Sequence, residues 1–101
     1  MDVMQATTPT FIYTFPNEVD LTLVNNMTFS LVQGKVDIRK FKDDLYIDGQ
    51  TVSVYLTQAD TLRLSKGKAE MQLNWTYNDD SRDCTDKKVI DVDSNLLQEI
   101  L

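Results

Sequence analysis

The sequence predicts an all-β fold in which two antiparallel sheets pack face to face as a sandwich. The clearest indication is the stretch 69–77, where small or apolar side chains alternate with polar ones without a break. Successive side chains of a strand point to opposite faces of a sheet, so one face of this strand should be buried and the other wet. Turn signals recur at short intervals, and the long crossover helices of an α/β fold have no counterpart. We count about seven strands.

Alternation also predicts the strands of the first half of the chain. Residues 8–15 carry aromatic side chains at every second position, and residues 27–32 carry Met27, Phe29 and Leu31 at every second position. A tight hairpin at Gly34 leads from the second stretch into the next strand. Residues 40–44 carry alternating charges around one aromatic side chain. This composition is typical of an edge strand that is protected from pairing with other chains.

The second half begins with Asp48-Gly49, a strong two-residue hairpin signal, which joins a short strand at 45–47 to a strand at 51–57. Residues 58–65 are predicted to form one turn of helix or a corner between the sheets. The last strand, 87–92, should pair back against the nine-residue alternating strand.

The end of the chain predicts a short helix at 95–101, capped by Asp93 or Ser94. Its apolar side chains follow helical spacing and would form a stripe that includes Leu97 and Leu101. A helix this short is not stable alone, so the stripe must lie against something. It either packs across the end of the sandwich or docks onto another subunit.

Length and composition limit the classes of function that this chain can have. A chain of 101 residues is expected to form one domain, 1–101, with the polar residues 1–7 loosely held. A net charge of -6 argues against a nucleic-acid or anionic-membrane surface. There is no histidine, so the single cysteine, Cys84, has no histidine to activate it. We therefore expect no catalytic residue, no cofactor and no metal site.

Two groups of side chains are candidate ligand sites. The aspartates between residues 78 and 86 could hold calcium, but the EF-hand spacing is absent and Arg82 lies among them, so a solvated hairpin tip is favoured. Trp75 could offer a sugar-stacking surface. It shares its face with Leu73 and Met71, however, and is predicted to belong to the core.

The wet face of the alternating strand carries short polar side chains that resemble a protein-contact surface as much as solvent cover. Together with the C-terminal stripe, it supplies the candidate protein-contact residues. They are Gln72, Asn74, Thr76, Leu97 and Leu101.

Three segments resemble small proteins encoded by phages and prophages of Gram-positive bacteria. They are 48–58 with Val-Tyr-Leu-Thr-Gln, 61–67 with Leu-Arg-Leu, and 69–82 with Asn-Trp-Thr-Tyr before a polar turn and an arginine. More remotely, the chain is similar to the immunoglobulin-like N-terminal domain of phage baseplate upper proteins. The resemblance implies an immunoglobulin-like β-sandwich that belongs to the tail, baseplate or head of a virion.

The expected function is therefore a non-enzymatic virion-associated structural or assembly protein that acts through protein–protein contacts. Its expected partners are other phage structural proteins or another copy of the chain, with no nucleic acid and no membrane. It would reside in the virion and, before assembly, in the cytoplasm of the bacterial host. The alternative is a carbohydrate-binding β-sandwich module that uses surface aromatics such as Tyr46 and Tyr55.

Overall fold

A computed structural model describes residues 2–101 and places nine strands of this part of the chain in two sheets. The strands are β1 (Asp2–Met4), β2 (Thr10–Thr14), β3 (Val24–Gln33), β4 (Val36–Phe41), β5 (Tyr46–Asp48), β6 (Thr51–Tyr55), β7 (Gly67–Tyr77), β8 (Arg82–Cys84) and β9 (Lys88–Asp93). The helical elements are α1 (Gln58–Leu62) and two 3₁₀ turns, Leu21–Leu23 and Lys42–Asp44.

The larger sheet has the strand order β1-β9-β7-β3-β4, with β8 also paired to β7. One edge of β7 pairs with β3, and its other edge pairs first with β9 and then with β8. The smaller sheet has the order β2-β6-β5. All pairs are antiparallel except β1 with β9, which is parallel.

The two sheets meet through their apolar faces. Phe29 of β3 stacks on Phe11 of β2 with ring centroids 6.0 Å apart. Trp75 of β7 packs edge-on against Phe15, just after β2, at 5.2 Å. The side chain of Trp75 is only 4% exposed. The predicted sandwich is confirmed, and so is the core position of this tryptophan; the immunoglobulin-like connectivity stays a prediction.

The beginning of the chain differs from the expectation that residues 1–7 are loosely held. Asp2–Met4 form β1 on β9, and Val3 is buried in the core. Met1, which belongs to the same expectation, lies outside the described residues. Together with β8, this strand raises the number from about seven to nine. Each of these two strands has three residues, which is too short for alternation to reveal a strand.

The predicted helix at 95–101 is wrong. The side chain of Asn95 accepts a hydrogen bond from the backbone N–H of Leu97 at 3.1 Å, and its own amide donates to the carbonyl oxygen of Gln5 at 3.0 Å. Local side chain–backbone bonds of this kind compete with helix formation. A segment of this length also lacks enough helical hydrogen bonds to offset the cost of nucleation.

The apolar stripe does not pack across the end of the sandwich either. Two polar side chains of the C-terminal segment bond to the domain: the amide of Asn95 donates to the backbone carbonyl of Gln5, and Gln98 donates to the side-chain oxygen of Gln5 at 3.1 Å. The apolar side chains face outward, and Leu101 is 92% exposed. Docking onto another subunit is the remaining one of the two predicted roles.

Helix α1 appears where a turn of helix was one of two alternatives. Its N-terminus is capped by Thr57, whose hydroxyl accepts from the backbone N–H of Asp60 at 3.1 Å, while the carboxylate of Asp60 accepts from the backbone N–H of Thr57 at 2.9 Å. The same carboxylate lies 2.8 Å from Nζ of Lys40, so an ion pair joins α1 to β4.

We expect the substitution Asp60→Asn to weaken the fold near neutral pH and to reduce its sensitivity to acid. Burial alone would raise the pKa of Asp60, but hydrogen bonds from Lys40 and Thr57 outweigh burial and hold this pKa below its ordinary value of 3.8. The stabilisation from the charged carboxylate is therefore complete above that ordinary value and is lost as the pH falls through the lowered pKa.

Urea unfolding at about pH 7 and about pH 3 measures this effect. The parent chain should lose more stability between the two conditions than Asp60→Asn. The control is Asp86→Asn, which changes an exposed aspartate outside the ion pairs of residues 2–101. Equal losses in the parent and in Asp60→Asn would contradict a stabilising role for the ion pair.

Candidate functional site

The outer face of the larger sheet carries a shallow polar groove of about 330 Å³ that crosses β4, β3, β7 and β8. We call it the outer groove and define it by seven polar side chains. They are Asn26, Thr28, Ser30, Arg39, Asn74, Thr76 and Arg82. The backbone alternation that buries the apolar half of β3 and β7 also places their short polar side chains together on this face.

Strand pairing sets the neighbours within the groove. Thr28 lies directly opposite Asn74, so β3 and β7 form its floor. Each end of the groove has a pair that includes an arginine: Ser30 with Arg39, and Thr76 with Arg82. Side chains that are directly opposite on neighbouring strands have Cβ atoms about 5 Å apart, so the groove is a continuous polar surface.

Most of the hydrogen-bonding capacity of this surface is unused. Within residues 2–101, the side chains of Asn26, Thr28, Ser30 and Thr76 form no hydrogen bond with another side chain or with backbone. Hydroxyl and carboxamide groups can each donate and accept. The groove therefore offers free groups of both kinds to a molecule that lies on it.

The charged side chains that line the groove are two arginines, although the chain as a whole carries a net charge of -6. Nη2 of Arg82 donates to Oδ1 of Asn74 at 3.0 Å, which holds the guanidinium beside the groove. In the described chain Arg82 forms no ion pair. Arg39 pairs with Asp37 at 3.0 Å, but this pair is exposed and exposed pairs contribute little stability. No carboxylate lines the groove.

Two of the five candidate protein-contact residues, Asn74 and Thr76, line the outer groove. Gln72 lies on the same face of β7, but its amide already donates to the carbonyl oxygen of Thr85 at 2.7 Å. It therefore holds the segment between β8 and β9 against β7. The side-chain amide of Gln72 is therefore used within the domain and is not free to contact a partner.

The other two candidates, Leu97 and Leu101, lie in the C-terminal segment. This segment follows β9, which pairs with β7 near Gly67, at the opposite end of β7 from Thr76. The backbone N–H of Leu101 donates to the side chain of Gln58 on α1 at 2.8 Å. The structure therefore separates the two groups of candidates into two surfaces.

Sequence reasoning did not assign the two arginines or the polar residues of β3 to a site. The alternation in 27–32 does place Thr28 and Ser30 on a wet face. No local signal shows that this face continues onto β7, because strand pairing joins residues far apart in sequence. The sequence places Arg82 in a solvated hairpin tip, since β8 is too short to be recognised.

The outer face of the smaller sheet carries a second surface, the exposed aromatic patch, formed by Ile12, Tyr46 and Tyr55. Their side chains are 63%, 59% and 54% exposed. Ile12 and Tyr46 lie on either side of Ser53, and Tyr55 follows Ser53 by two residues on the same face. Both tyrosines of the carbohydrate alternative are therefore exposed on one surface.

The aspartate-rich stretch 78–86 forms a turn and the short strand β8. Oδ1 of Asp79 accepts from the backbone and the hydroxyl of Ser81, at 3.0 and 2.6 Å. These two hydrogen bonds hold the pKa of Asp79 below its ordinary value. Across residues 2–101, no three acidic or cysteine side chains lie close enough together to hold a metal ion.

None of the helices in the described chain has the length and apolar character needed to cross a membrane.

Comparison with known proteins shows a likeness of fold. No protein-family model and no curated protein matches the chain. The crystal structure of a putative glycoside hydrolase from Bacteroides vulgatus superimposes on this chain with a TM-score of 0.59 and 10% sequence identity. The match covers 93% of this chain and 16% of that protein, so this chain corresponds to a small part of its length. At this identity the likeness shows the fold alone.

Proposed function

We propose that this chain is a non-enzymatic structural or assembly module that acts through protein–protein contacts in a phage or prophage particle. The assignment to a phage particle is supported by the resemblance of 48–58, 61–67 and 69–82 to small phage proteins. The contact role is supported by the outer groove. A rigid sheet face with free hydrogen-bonding groups can bind a partner without the cost of ordering a loop.

The groove is the observation that carries this proposal. Four neighbouring side chains of the groove have free hydrogen-bond donors and acceptors. Burying them against an apolar partner would cost free energy, because they would be left unpaired. A partner that supplies hydrogen bonds to these groups avoids that cost. Their positions on β3 and β7 are rigid, because both strands are internal to the larger sheet.

The test is whether the protein is found in particles. The prophage of a bacterium that carries this gene is induced, and the particles are purified on a density gradient and analysed by mass spectrometry. We expect this chain in the same band as the major capsid protein. Its recovery only from the soluble fraction, with capsid protein present in the band, would contradict the proposal.

The second candidate function is carbohydrate binding, and the exposed aromatic patch favours it. A tyrosine ring presents an apolar face with a polar tip, a combination that suits the apolar face of a sugar ring and its hydroxyl groups. Tyr46 and Tyr55 stand on neighbouring strands and on the same face of the smaller sheet, where one sugar chain could contact both rings.

If the patch binds sugar, replacing either tyrosine with alanine should abolish binding to the glycans that the parent chain retains on an array. Tyr46→Ala and Tyr55→Ala each remove an exposed ring, so the fold should be preserved. Phe41→Ala is the matched control, because Phe41 is equally exposed on the other sheet. Glycan binding that survives both tyrosine substitutions would remove the patch from consideration.

A further inference from the structure

We propose that the outer groove recognises a carboxylate-rich, extended segment of a partner polypeptide. This proposal rests on the proposed function and names the chemistry of the partner at that site. It follows from three properties of the groove: its charge, its free hydrogen-bonding groups and its shape.

The charge of the groove selects an anion. Arg39 and Arg82 stand at its two ends, and no carboxylate lines it, although the chain as a whole is acidic. A guanidinium group binds a carboxylate through two parallel hydrogen bonds. Arg82 is free of carboxylate partners in the described chain, and the exposed pair of Arg39 with Asp37 can exchange for an incoming acid at little cost.

The floor of the groove suits an extended backbone. A peptide in extended conformation presents one N–H and one C=O per residue. The hydroxyl and amide groups of Thr28, Ser30 and Asn26 can accept hydrogen bonds from the peptide N–H groups and donate hydrogen bonds to its C=O groups. On β3, Ser30 lies opposite Arg39, and Asn26 lies opposite Thr76, which in turn pairs with Arg82. Ser30 and Asn26 are four residues apart, about 13 Å along the strand. Arg39 on β4 and Arg82 on β8 are also three strands apart, about 14 Å across the sheet, so about six extended residues would reach diagonally from one arginine to the other.

Acidic sugar chains fit this site less well. The indole of Trp75, beside the groove, is buried on the opposite face of the sheet, so it offers no surface for a sugar to stack on. One exposed ring, Phe41, lies on the outer face next to the groove, opposite Thr28 on β4. The two exposed tyrosines, Tyr46 and Tyr55, lie instead on the smaller sheet. Two arginines on a chain of net charge -6 also supply too little positive charge to hold a nucleic-acid backbone.

The experiment is a titration of the ¹⁵N-labelled protein with a probe peptide of alternating glutamate and serine, followed by NMR. A peptide of alternating glutamine and serine serves as the uncharged comparison. We expect shifts confined to the outer groove, including the side-chain amides of Asn26 and Asn74, with the glutamate peptide only. Binding should weaken with added salt, because the attraction is between charges.

The double variant Arg39→Gln with Arg82→Gln should bind the glutamate peptide at least about tenfold more weakly, since it loses two charge-assisted contacts. The control is Lys35→Gln with Lys66→Gln, which makes the same change in net charge outside the groove. It should bind as the parent chain does. Both variants change exposed side chains and should melt at the parent temperature.

Several results would overturn the proposal. They are equal binding of both peptides, shifts outside the groove, an unaffected arginine variant, or binding of polygalacturonate at the groove without binding of the glutamate peptide. Self-association that is lost in the arginine variant would support it and would identify the acidic segment as one of another copy of the chain. Presence in particles without peptide binding would refute this proposal alone, whereas absence from particles with peptide binding retained would refute only the proposed function.

Discussion

Replacing Phe29 with alanine is expected to destabilise the protein by about 3–5 kcal/mol, which for many domains of this size is most of the total stability. Phe29 is fully buried on the inner face of β3, opposite Leu73 of β7. Its ring stacks on Phe11 of the smaller sheet. The substitution therefore removes buried apolar surface and opens a cavity where the two sheets meet.

Thermal and urea unfolding measure this loss, with about 4–8 °C of melting temperature expected per kcal/mol in a domain of this size. The matched control is Phe41→Ala on the neighbouring strand, where the ring is 56% exposed. It should change stability by no more than about 0.5 kcal/mol. Similar effects of the two substitutions would show that the sheets do not pack through Phe29.

The second large effect is expected at Gln5, a buried polar residue that joins three parts of the chain. Its amide donates to the carbonyl oxygen of Leu64, after α1. Its side-chain oxygen accepts from Gln98 at 3.1 Å, and its backbone N–H donates to the carbonyl oxygen of Asp93 at 2.9 Å. The substitution Gln5→Met keeps much of the side-chain shape and removes the amide, so the buried carbonyl of Leu64 loses its partner.

We expect Gln5→Met to cost about 1–3 kcal/mol, the usual penalty for leaving a buried polar group unpaired. Backbone amides of 95–101 should also exchange with solvent more rapidly, because Asn95 and Gln98 lose their hydrogen bonds to the side-chain oxygen of Gln5. Gln98→Met is the control. It removes the same kind of amide from an exposed position and leaves the carbonyl of Leu64 bonded to Gln5. If the control lost as much stability as Gln5→Met, the bond to Leu64 would not be the important one.

Part of the fold could be predicted from the sequence because its signals are local. The alternation in 69–77 identified β7 and its buried face, and Asp48-Gly49 identified the turn between β5 and β6, where Gly49 has a φ of +57°. The C-terminal helix was predicted from spacing alone and is wrong. Spacing does not reveal that Asn95 and Gln98 bond to Gln5, some 90 residues earlier.

The candidate site was predictable only in part for the same reason. The sequence places Asn74 and Thr76 on the wet face of β7, because successive side chains of a strand point to opposite faces of the sheet. Arg39 and the polar side chains of β3 were not linked to them, because their proximity depends on which strands pair and in which register. The exposure of Leu101 likewise depends on contacts made elsewhere in the fold.

By itself, the sequence determined that this is a β protein, which residues of its longer strands face inward, and where several of its turns fall. These properties depend on neighbours within a few positions, which the sequence displays directly. Only the tertiary structure decided that β8 and β4 lie on either side of β7 and β3, so that two arginines about forty residues apart frame one polar groove. Pairing between distant strands is chosen by the packing of the whole core, and no short stretch of sequence contains that information.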